Sequence, residues 1–225
     1  MDTKHWIQHI GREIEEPLRY FYSQQAYGDC LRGPNGTELA YKNIHFWKLF
    51  STSVQRSLFI GLGRLFDGVS GARSFPKFQG HCMQNMNAFS KSALAERRVL
   101  ENGGVRPEYL DNYLSGCSEI SKEDIGKLFS PISSINGRAR DIYQRIRSKT
   151  IAHAISTEEN EYSELFISAN NDEIEKILLT LWGVYRNIWE LYYNGNLPNK
   201  GYLTYEYKFK NECYESTKKA FYNIQ

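Results

Sequence analysis

Apolar and polar positions alternate along the chain with helical spacing, and this pattern predicts helices over most of its length. The first predicted helix contains Pro17, which indicates a kink or an early stop. Its apolar stripe advances in steps of three and four residues through Trp6, Ile10, Ile14, Leu18 and Phe21. A second, long helix is predicted to begin near residues 37–39. Its stripe consists of Trp47, Phe50, Val54, Leu58, Leu62 and Leu65.

A row of small residues lies beside the second stripe: Ser53, Ser57 and Gly61. Small side chains at four-residue spacing allow another helix backbone to approach, so this helix is predicted to be buried on two sides. Residues 67–87 are rich in Gly, Ser, Asn and Pro and predict a loop. Short helices are predicted near residues 88–101 and 106–115.

The last third of the chain contains the clearest helix. Residues 121–154 predict two helices separated at Pro131. The next helix is predicted to be capped by Asn171 and to end at Asn194-Gly195. The stretch "TYEYKFK" (204–210) alternates and suggests a short strand before a polar, helix-like end. We therefore predict an all-α bundle with a small C-terminal extension.

Composition limits the function classes. The 225-residue chain is 41% apolar and 24% charged, with a net charge of +2, so any surface that attracts nucleic acid must be local. Acidic residues near the N-terminus argue against a secretion signal, and no apolar run approaches the roughly 18 residues of a membrane span. The four cysteines have no pairing pattern and are predicted to be reduced. A cytoplasmic protein with no metal, cofactor or membrane segment is predicted.

The candidate chemistry lies in "RSKTIAH" (147–153) and the residues before it. His153 continues an isoleucine stripe, whereas Arg147 lies about 120° away on an ideal helix. The two can converge only through a helix end or kink near residues 148–151, or by pairing across two chains. Two cationic ridges accompany the stripe, one with Arg138, Arg145 and Lys149 and the other with Arg140 and Arg147.

Two interpretations of this segment are open from the spacing alone. The ridges suit contacts with a phosphate backbone, with His153 titrating near neutral pH. The alternative is a solvated helix face that ends in a packed core histidine, and periodicity by itself favours this second interpretation.

Two stretches of the chain resemble the HEPN superfamily, especially its AbiU-like branch from bacterial abortive-infection systems. "SLFIGLGRLFDG" (57–68) is similar to a long helix of that branch, and "RSKTIAH" fits the superfamily's pattern of Arg, four to six residues and His. The resemblance covers residues 1–195, with a less similar insert at about 70–130. Residues 196–225 are predicted to be a C-terminal extension.

The resemblance implies a bundle of long antiparallel helices that forms a homodimer and, in many members, cuts RNA without a metal. His153 would then act as acid or base, Arg147 would bind the scissile phosphate, and Arg138, Arg140, Arg145 and Lys149 would hold RNA. Ser148 stands where active members often have Asn, Asp or His. A possible antitoxin or defence-system partner is implied as well. The alternatives are a non-catalytic module that binds nucleic acid, nucleotide or protein, and stripes that serve only oligomerisation.

Other residues are weaker candidates. Arg64 and Asp67 are predicted to pair structurally at a helix end, the alternative being that both reach the cleft and orient His153 or Arg147. His5 and His9 have metal-binding spacing but no third ligand, and His81-Cys82 lacks further ligands. Aromatic residues that could stack bases, but more simply pack on the bundle, are Tyr205, Tyr207 and Phe209.

Overall fold

The computed structural model describes residues 2–147, 170–198 and 203–223. These ranges contain nine α-helices, and a 3-10 turn at Met86–Phe89. The helices are α1 (Thr3–Arg32), α2 (Gly36–Lys42), α3 (Ile44–Leu65), α4 (Phe75–Gln84), α5 (Lys91–Glu101), α6 (Leu110–Ser115), α7 (Lys122–Arg147), α8 (Asn171–Asn194) and α9 (Lys210–Asn223). The predicted all-α class is confirmed.

Four long helices form the bundle. α1 packs against α3 and α8, and α7 packs against the same two helices from the opposite side. Each contributes the apolar stripe of its amphipathic sequence to one continuous core, whose burial is the main stabilising term. Fully buried members include Ile10, Ile14, Leu18, Leu62, Leu128, Phe129, Leu178, Leu181 and Ile188.

α1 and α3 run antiparallel and approach closely. Glu13 of α1 contacts Arg64 of α3, and Pro17, one turn further along α1, faces Gly61, one turn back along α3. A Cβ atom at Gly61 would lie 3.2 Å from Cγ of Pro17. The predicted close approach of a second helix is therefore found at Gly61, whereas Ser53 is exposed.

α8 also runs antiparallel to α1. The Tyr22 hydroxyl donates to Glu175 at 2.8 Å near the start of α8, and a Cβ on Gly11 would meet the ring of Tyr185 near its end. Asn170, one residue before the predicted cap, accepts the N–H of Asp172 at 2.9 Å. Gly195 ends the helix in the left-handed conformation, as predicted.

α7 runs antiparallel to α3. Its residue Phe129 packs against Phe75 and Phe78 of α4, and α4 contacts the N-terminal end of α1. Tyr143, nearly four turns later, lies beside Phe59 in the middle of α3, with ring centroids 6.1 Å apart. The residues after Tyr143 therefore continue towards the N-terminal end of α3.

A smaller aromatic cluster joins α9 to the bundle. Trp47 stacks on Tyr27 with ring centroids 5.4 Å apart, and Phe221 of α9 lies 5.0 Å from Trp47. These rings form a core of their own beside the main one, which we call the satellite cluster: Tyr27, Cys30, Ala40, Trp47 and Phe221. It covers the end of α1 that lies away from Arg64.

Neither internal proline ends its helix: α1 continues past Pro17, so the early stop is not found, and α7 continues past Pro131, where two helices were predicted. Pro17 is buried against Gly61, so its ring contributes to helix packing. Pro131 has no backbone N–H, so it cannot donate the helical hydrogen bond to the Lys127 carbonyl. The hydroxyl of Ser130 donates to that carbonyl at 2.8 Å instead. Local compensation therefore keeps α7 continuous where the sequence predicted two helices.

Three further expectations need correction. The second helix is divided at Asn43 into α2 and α3. The predicted loop at 67–87 contains α4, which begins with Phe75 and Pro76, a favourable first-turn position for proline. The predicted short strand near residue 205 is not formed, because Tyr207 packs onto the bundle without a partner strand. Across the described ranges, no helix combines the length and the apolarity needed to cross a bilayer.

Candidate functional site

The predicted catalytic segment begins at the C-terminal end of α7. The helical backbone extends without interruption through Arg147, so Arg138, Arg140, Arg145 and Arg147 occupy one continuous helix. On a helical backbone this spacing puts Arg138 and Arg145 near one azimuth and Arg140 and Arg147 near a second. Ser148, Lys149 and His153 lie outside the described residues, as do the side chains of the four arginines, so their roles stay predictions.

Arg64 has a different partner from the predicted one. Nη2 of Arg64 donates to Oε1 of Glu13, which lies on α1. The side chain of Glu13 is only 11% exposed and that of Arg64 is 46% exposed. This ion pair therefore joins α3 to α1 and anchors a largely buried carboxylate.

Asp67 closes the turn that follows α3. It is buried, and its Oδ1 accepts the backbone N–H of Val69 at 2.9 Å. Its own backbone N–H donates to the carbonyl of Arg64 at 3.2 Å. The predicted structural role at the helix end is therefore met by backbone contacts, and the predicted side-chain pair between Arg64 and Asp67 does not form.

The direction of α7 determines how far Arg64 lies from the motif arginine. Tyr143 and Phe59 are level with each other, and the two helices run antiparallel.

 Because each residue advances a helix by about 1.5 Å, Arg147 lies about 6 Å from that level in one direction and Arg64 about 7.5 Å in the other. The backbones of Arg147 and Arg64 are thus about 13 Å apart along the bundle. A role for Arg64 or Asp67 in orienting His153 or Arg147 stays a prediction.

Arg64 and Asp67 do share one cavity, of about 320 Å³. We call it the charged pocket, and its walls come from the N-terminal half of α1, the end of α3 and the loop that leads to α4. Its lining residues are His9, Glu13, Arg64, Asp67, Gly71, Ala72 and Arg73. The expectation that Arg64 and Asp67 reach the cleft of Arg147 and His153 stays a prediction, because His153 lies outside the described residues.

His9 is the titratable imidazole of the charged pocket. Burial lowers its pKa below the ordinary value of 6.5. The Glu13 carboxylate raises the pKa, whereas the nearby guanidinium groups of Arg73, Arg12 and Arg64 lower it. Because the net shift is downward, His9 is mainly uncharged near neutral pH and can accept or donate a hydrogen bond.

Two further histidines, His5 and His81, make contacts at the start of α1. Nδ1 of His5 lies 2.8 Å from Asp2 at the start of α1, and Nε2 of His81 lies 3.1 Å from the Thr3 hydroxyl. Burial raises the pKa of the Cys82 and Cys117 thiols, which disfavours the reactive thiolate. Within the described part of the chain, no three His, Cys, Asp or Glu residues are grouped as metal ligands.

The aromatic residues near the C-terminus mostly pack on the bundle, as the simpler interpretation predicted. Tyr207 is buried and stacks on Tyr22, with ring centroids 5.9 Å apart. Phe209 is exposed and lies 5.1 Å from the guanidinium of Arg19. Tyr205 is half-buried. Of the three rings, Phe209 is the one most open to solvent.

The sequence pattern did not single out Glu13 or Arg73, and it did not indicate that His9 lines the same pocket. Glu13 stands near the apolar stripe of α1 and meets Arg64 across 51 positions of sequence. The available signal was weak: an acid on the buried side of an amphipathic helix needs a cationic partner. The partner's identity depends on the antiparallel register of α1 and α3, which local patterns do not specify.

Comparison with known families agrees with the helical fold. The sequence model of the HEPN family described as AbiU2 matches residues 34–211, which is more than half of the chain. The match includes the region at 70–130 that resembled the family less, and it extends beyond residue 195. Neither a curated protein nor a solved structure matches the chain. The family match confirms the resemblance, and the chain belongs to the AbiU2 family of HEPN proteins.

Proposed function

We propose that this HEPN protein is a metal-independent endoribonuclease that acts in defence against phage or as a toxin. The single observation that supports the proposal is the continuous helical backbone of α7, which carries Arg138, Arg140, Arg145 and Arg147 and includes the first residue of the Arg-x5-His motif. The family match includes the whole of this segment. Closely spaced guanidinium groups favour binding to phosphodiesters.

The proposed chemistry divides between an arginine and a histidine. His153 acts as general base on the ribose 2′-hydroxyl or as general acid on the leaving oxygen. Arg147 binds the scissile phosphate and stabilises the charge that develops on it. Arg138, Arg140, Arg145 and Lys149 hold the flanking backbone, and Ser148 supplies a hydrogen-bonding hydroxyl.

The active form is proposed to be a homodimer. On one unbroken helix Arg147 and His153 lie about 120° apart, so two chains can complete the site more readily than one. The end of the bundle towards which α7 leads also exposes apolar side chains of α3. Phe46 is 47% exposed and Leu49 is 68% exposed. Exposed apolar groups of this size favour a protein contact at that end, with a second copy or with an antitoxin or another defence component.

The test compares cleavage of mixed cellular RNA by wild type, His153→Ala and His5→Ala in excess EDTA. His5 is an exposed histidine at the start of α1, away from Phe46 and Leu49, and serves as the matched control. We expect cleavage by wild type and His5→Ala, and a loss of at least about 100-fold in His153→Ala, the usual contribution of general acid–base catalysis. Equal cleavage by all three proteins would contradict the role of His153.

The same proteins distinguish a non-catalytic module from an enzyme. A module would leave the RNA intact, bind it equally well with or without His153, and lose affinity when Arg145, Arg147 and Lys149 are replaced by Gln. Light scattering tests the composite site separately. A monomer at the assay concentration that still cleaves RNA would contradict the homodimer.

A further inference from the structure

The described residues that line the charged pocket are different from those of the predicted catalytic motif. Three parts of the chain form it: α1 supplies His9 and Glu13, α3 supplies Arg64, and the loop before α4 supplies Asp67 and Arg73. The backbone of Arg64, which belongs to the pocket, lies about 13 Å along the bundle from the backbone of Arg147. The chemistry proposed for Arg147 and His153 assigns no role to His9, Glu13 or Arg73.

Two guanidinium groups in the pocket have N–H donors without a partner among the described residues. The hydrogen bond of Arg64 uses Nη2, and among the described residues its other N–H groups have no partner. Arg73 is exposed and makes no hydrogen bond or ion pair with any residue that the structure describes. Arginine presents five donors in a planar fork that matches the oxygen atoms of a phosphate.

The acidic residues of the pocket do not prevent an anion from binding. Glu13 is bonded to Arg64, an arrangement that holds the guanidinium in a fixed orientation. Asp67 is buried, and its Oδ1 accepts the Val69 N–H. Arg12 adds a further positive charge close enough to lower the pKa of His9.

We propose that the charged pocket binds a phosphate group of the RNA strand, outside the cleavage motif, through Arg73, Arg64 and His9. The attribution to RNA rests on the proposed function, whereas the phosphate chemistry rests on the pocket itself. One guanidinium fork, a second one held by Glu13, and a neutral imidazole are sufficient donors for a phosphate.

An RNA strand fits this site better than a free nucleotide. A volume of about 320 Å³ lies near the lower limit for small-molecule sites, which is about 300 Å³. Among the described residues that line it, there is no Phe, Tyr or Trp side chain on which a base could stack. The pocket can therefore hold the phosphate, and the rest of the ligand must bind elsewhere, as an extended strand does.

The first experiment follows the imidazole signals of His9 by NMR while inorganic phosphate is added at constant ionic strength. We expect a saturable shift of His9 and an increase in its pKa, because the bound anion offsets the arginines that lower it. His45 supplies the internal control and should not respond. Arg73→Gln should weaken the His9 response by about fivefold or more, roughly the loss of one charge-assisted contact.

The second experiment measures RNA affinity by fluorescence anisotropy, in a His153→Ala background that leaves the RNA intact. A labelled single-stranded RNA of 12 nucleotides is compared with adenosine monophosphate as competitor. Arg73→Gln should weaken RNA binding about fivefold and reduce the slope of log affinity against log salt by about 0.7. Arg106→Gln removes another exposed guanidinium, on the α5–α6 connection, and should change neither quantity.

The outcomes separate the site from its ligand and from the nuclease. No response of His9 to phosphate would overturn the pocket as an anion site. A phosphate response with unchanged RNA affinity in Arg73→Gln, or strong competition by the mononucleotide, would overturn the assignment to RNA and identify a free nucleotide or phosphate instead. Absence of cleavage by wild type would contradict the proposed nuclease but would leave the His9 titration and its interpretation intact.

Discussion

The two ends of α3 differ in the kind of surface that they form. At the N-terminal end, Trp47 is 1% exposed and packs among aromatic rings of α1 and α9, while Leu49 projects into solvent. At the C-terminal end, Leu62 and Leu65 enter the main core, and Arg64 between them reaches the charged pocket. One helix thus has an apolar end and a charged end.

This difference indicates that the apolar end of α3 mainly stabilises the fold, whereas the charged end offers groups that can bind a ligand. The satellite cluster attaches α9 to α1 through rings, so its contribution depends on buried apolar area. The charged pocket contains polar groups that water can reach, so its contribution depends on pairing and on pH. Replacing residues at the two ends should therefore change different properties of the protein.

The largest effect is expected from Trp47→Ala. This change removes a buried ring that contacts Tyr27 and Phe221, and it leaves a cavity between α1 and α9. We expect the free energy of unfolding to fall by about 3–5 kcal/mol. Denaturant titration measures the loss, and hydrogen exchange should show reduced protection in α9 first, because α9 packs on this cluster.

Two variants make the Trp47 prediction specific. Trp47→Phe keeps a ring in place, and the indole N–H that it removes has no partner among the described residues, so a cost below about 1.5 kcal/mol is expected. Leu49→Ala truncates an exposed neighbour and should change stability by less than about 0.5 kcal/mol. A loss in Leu49→Ala equal to that in Trp47→Ala would contradict the buried position of the tryptophan.

A smaller effect is expected at the charged end from Arg64→Met. The methionine keeps much of the side-chain volume but leaves the Glu13 carboxylate, which is mostly buried, without its cationic partner. Because Arg64 is half exposed, solvent reduces the penalty, and we expect a loss of about 1–2 kcal/mol. Urea unfolding at pH 7 measures it.

A double-mutant cycle tests whether this loss comes from the pair. Glu13→Gln in the Arg64→Met background should recover part of the stability, with a coupling energy of about 1 kcal/mol. Lys127→Met removes an ion pair with Glu123 in which both side chains are exposed. It should lower the free energy of unfolding by less than Arg64→Met does. Additive losses at Glu13 and Arg64 would contradict a direct interaction.

The helices were predictable where local pattern and packing agree. The stripe of α8, its asparagine-capped start and its glycine end were all visible in the sequence, with an error of one residue at the cap. The predicted break at Pro131 was wrong because the neighbouring serine hydroxyl replaces the lost hydrogen bond, and the early stop at Pro17 is not found because that ring packs against α3. Propensity alone cannot include these contacts.

The candidate site divides in the same way. The spacing of the arginines on α7 was predictable because it depends only on helical periodicity. The partner of Arg64 was not, since Glu13 comes from another helix and Asp67 is the nearer acid in sequence. Arg73 gave no sequence signal, because the loop predicted at 67–87 provided no reason to place it beside His9.

The smallest effect is the pH dependence that His9 gives to the charged end. Burial lowers its folded-state pKa below the unfolded value of about 6.5, so the unfolded chain binds the proton more readily. Stability should therefore be constant above about pH 6.5 and fall as the pH decreases below that value. His9→Asn should flatten this slope in urea titrations between pH 5 and 7. His81→Asn should flatten it as well, since burial lowers the pKa of His81. A slope that survives in the His9→Asn, His81→Asn double variant would assign the pH dependence to groups outside this end of the bundle.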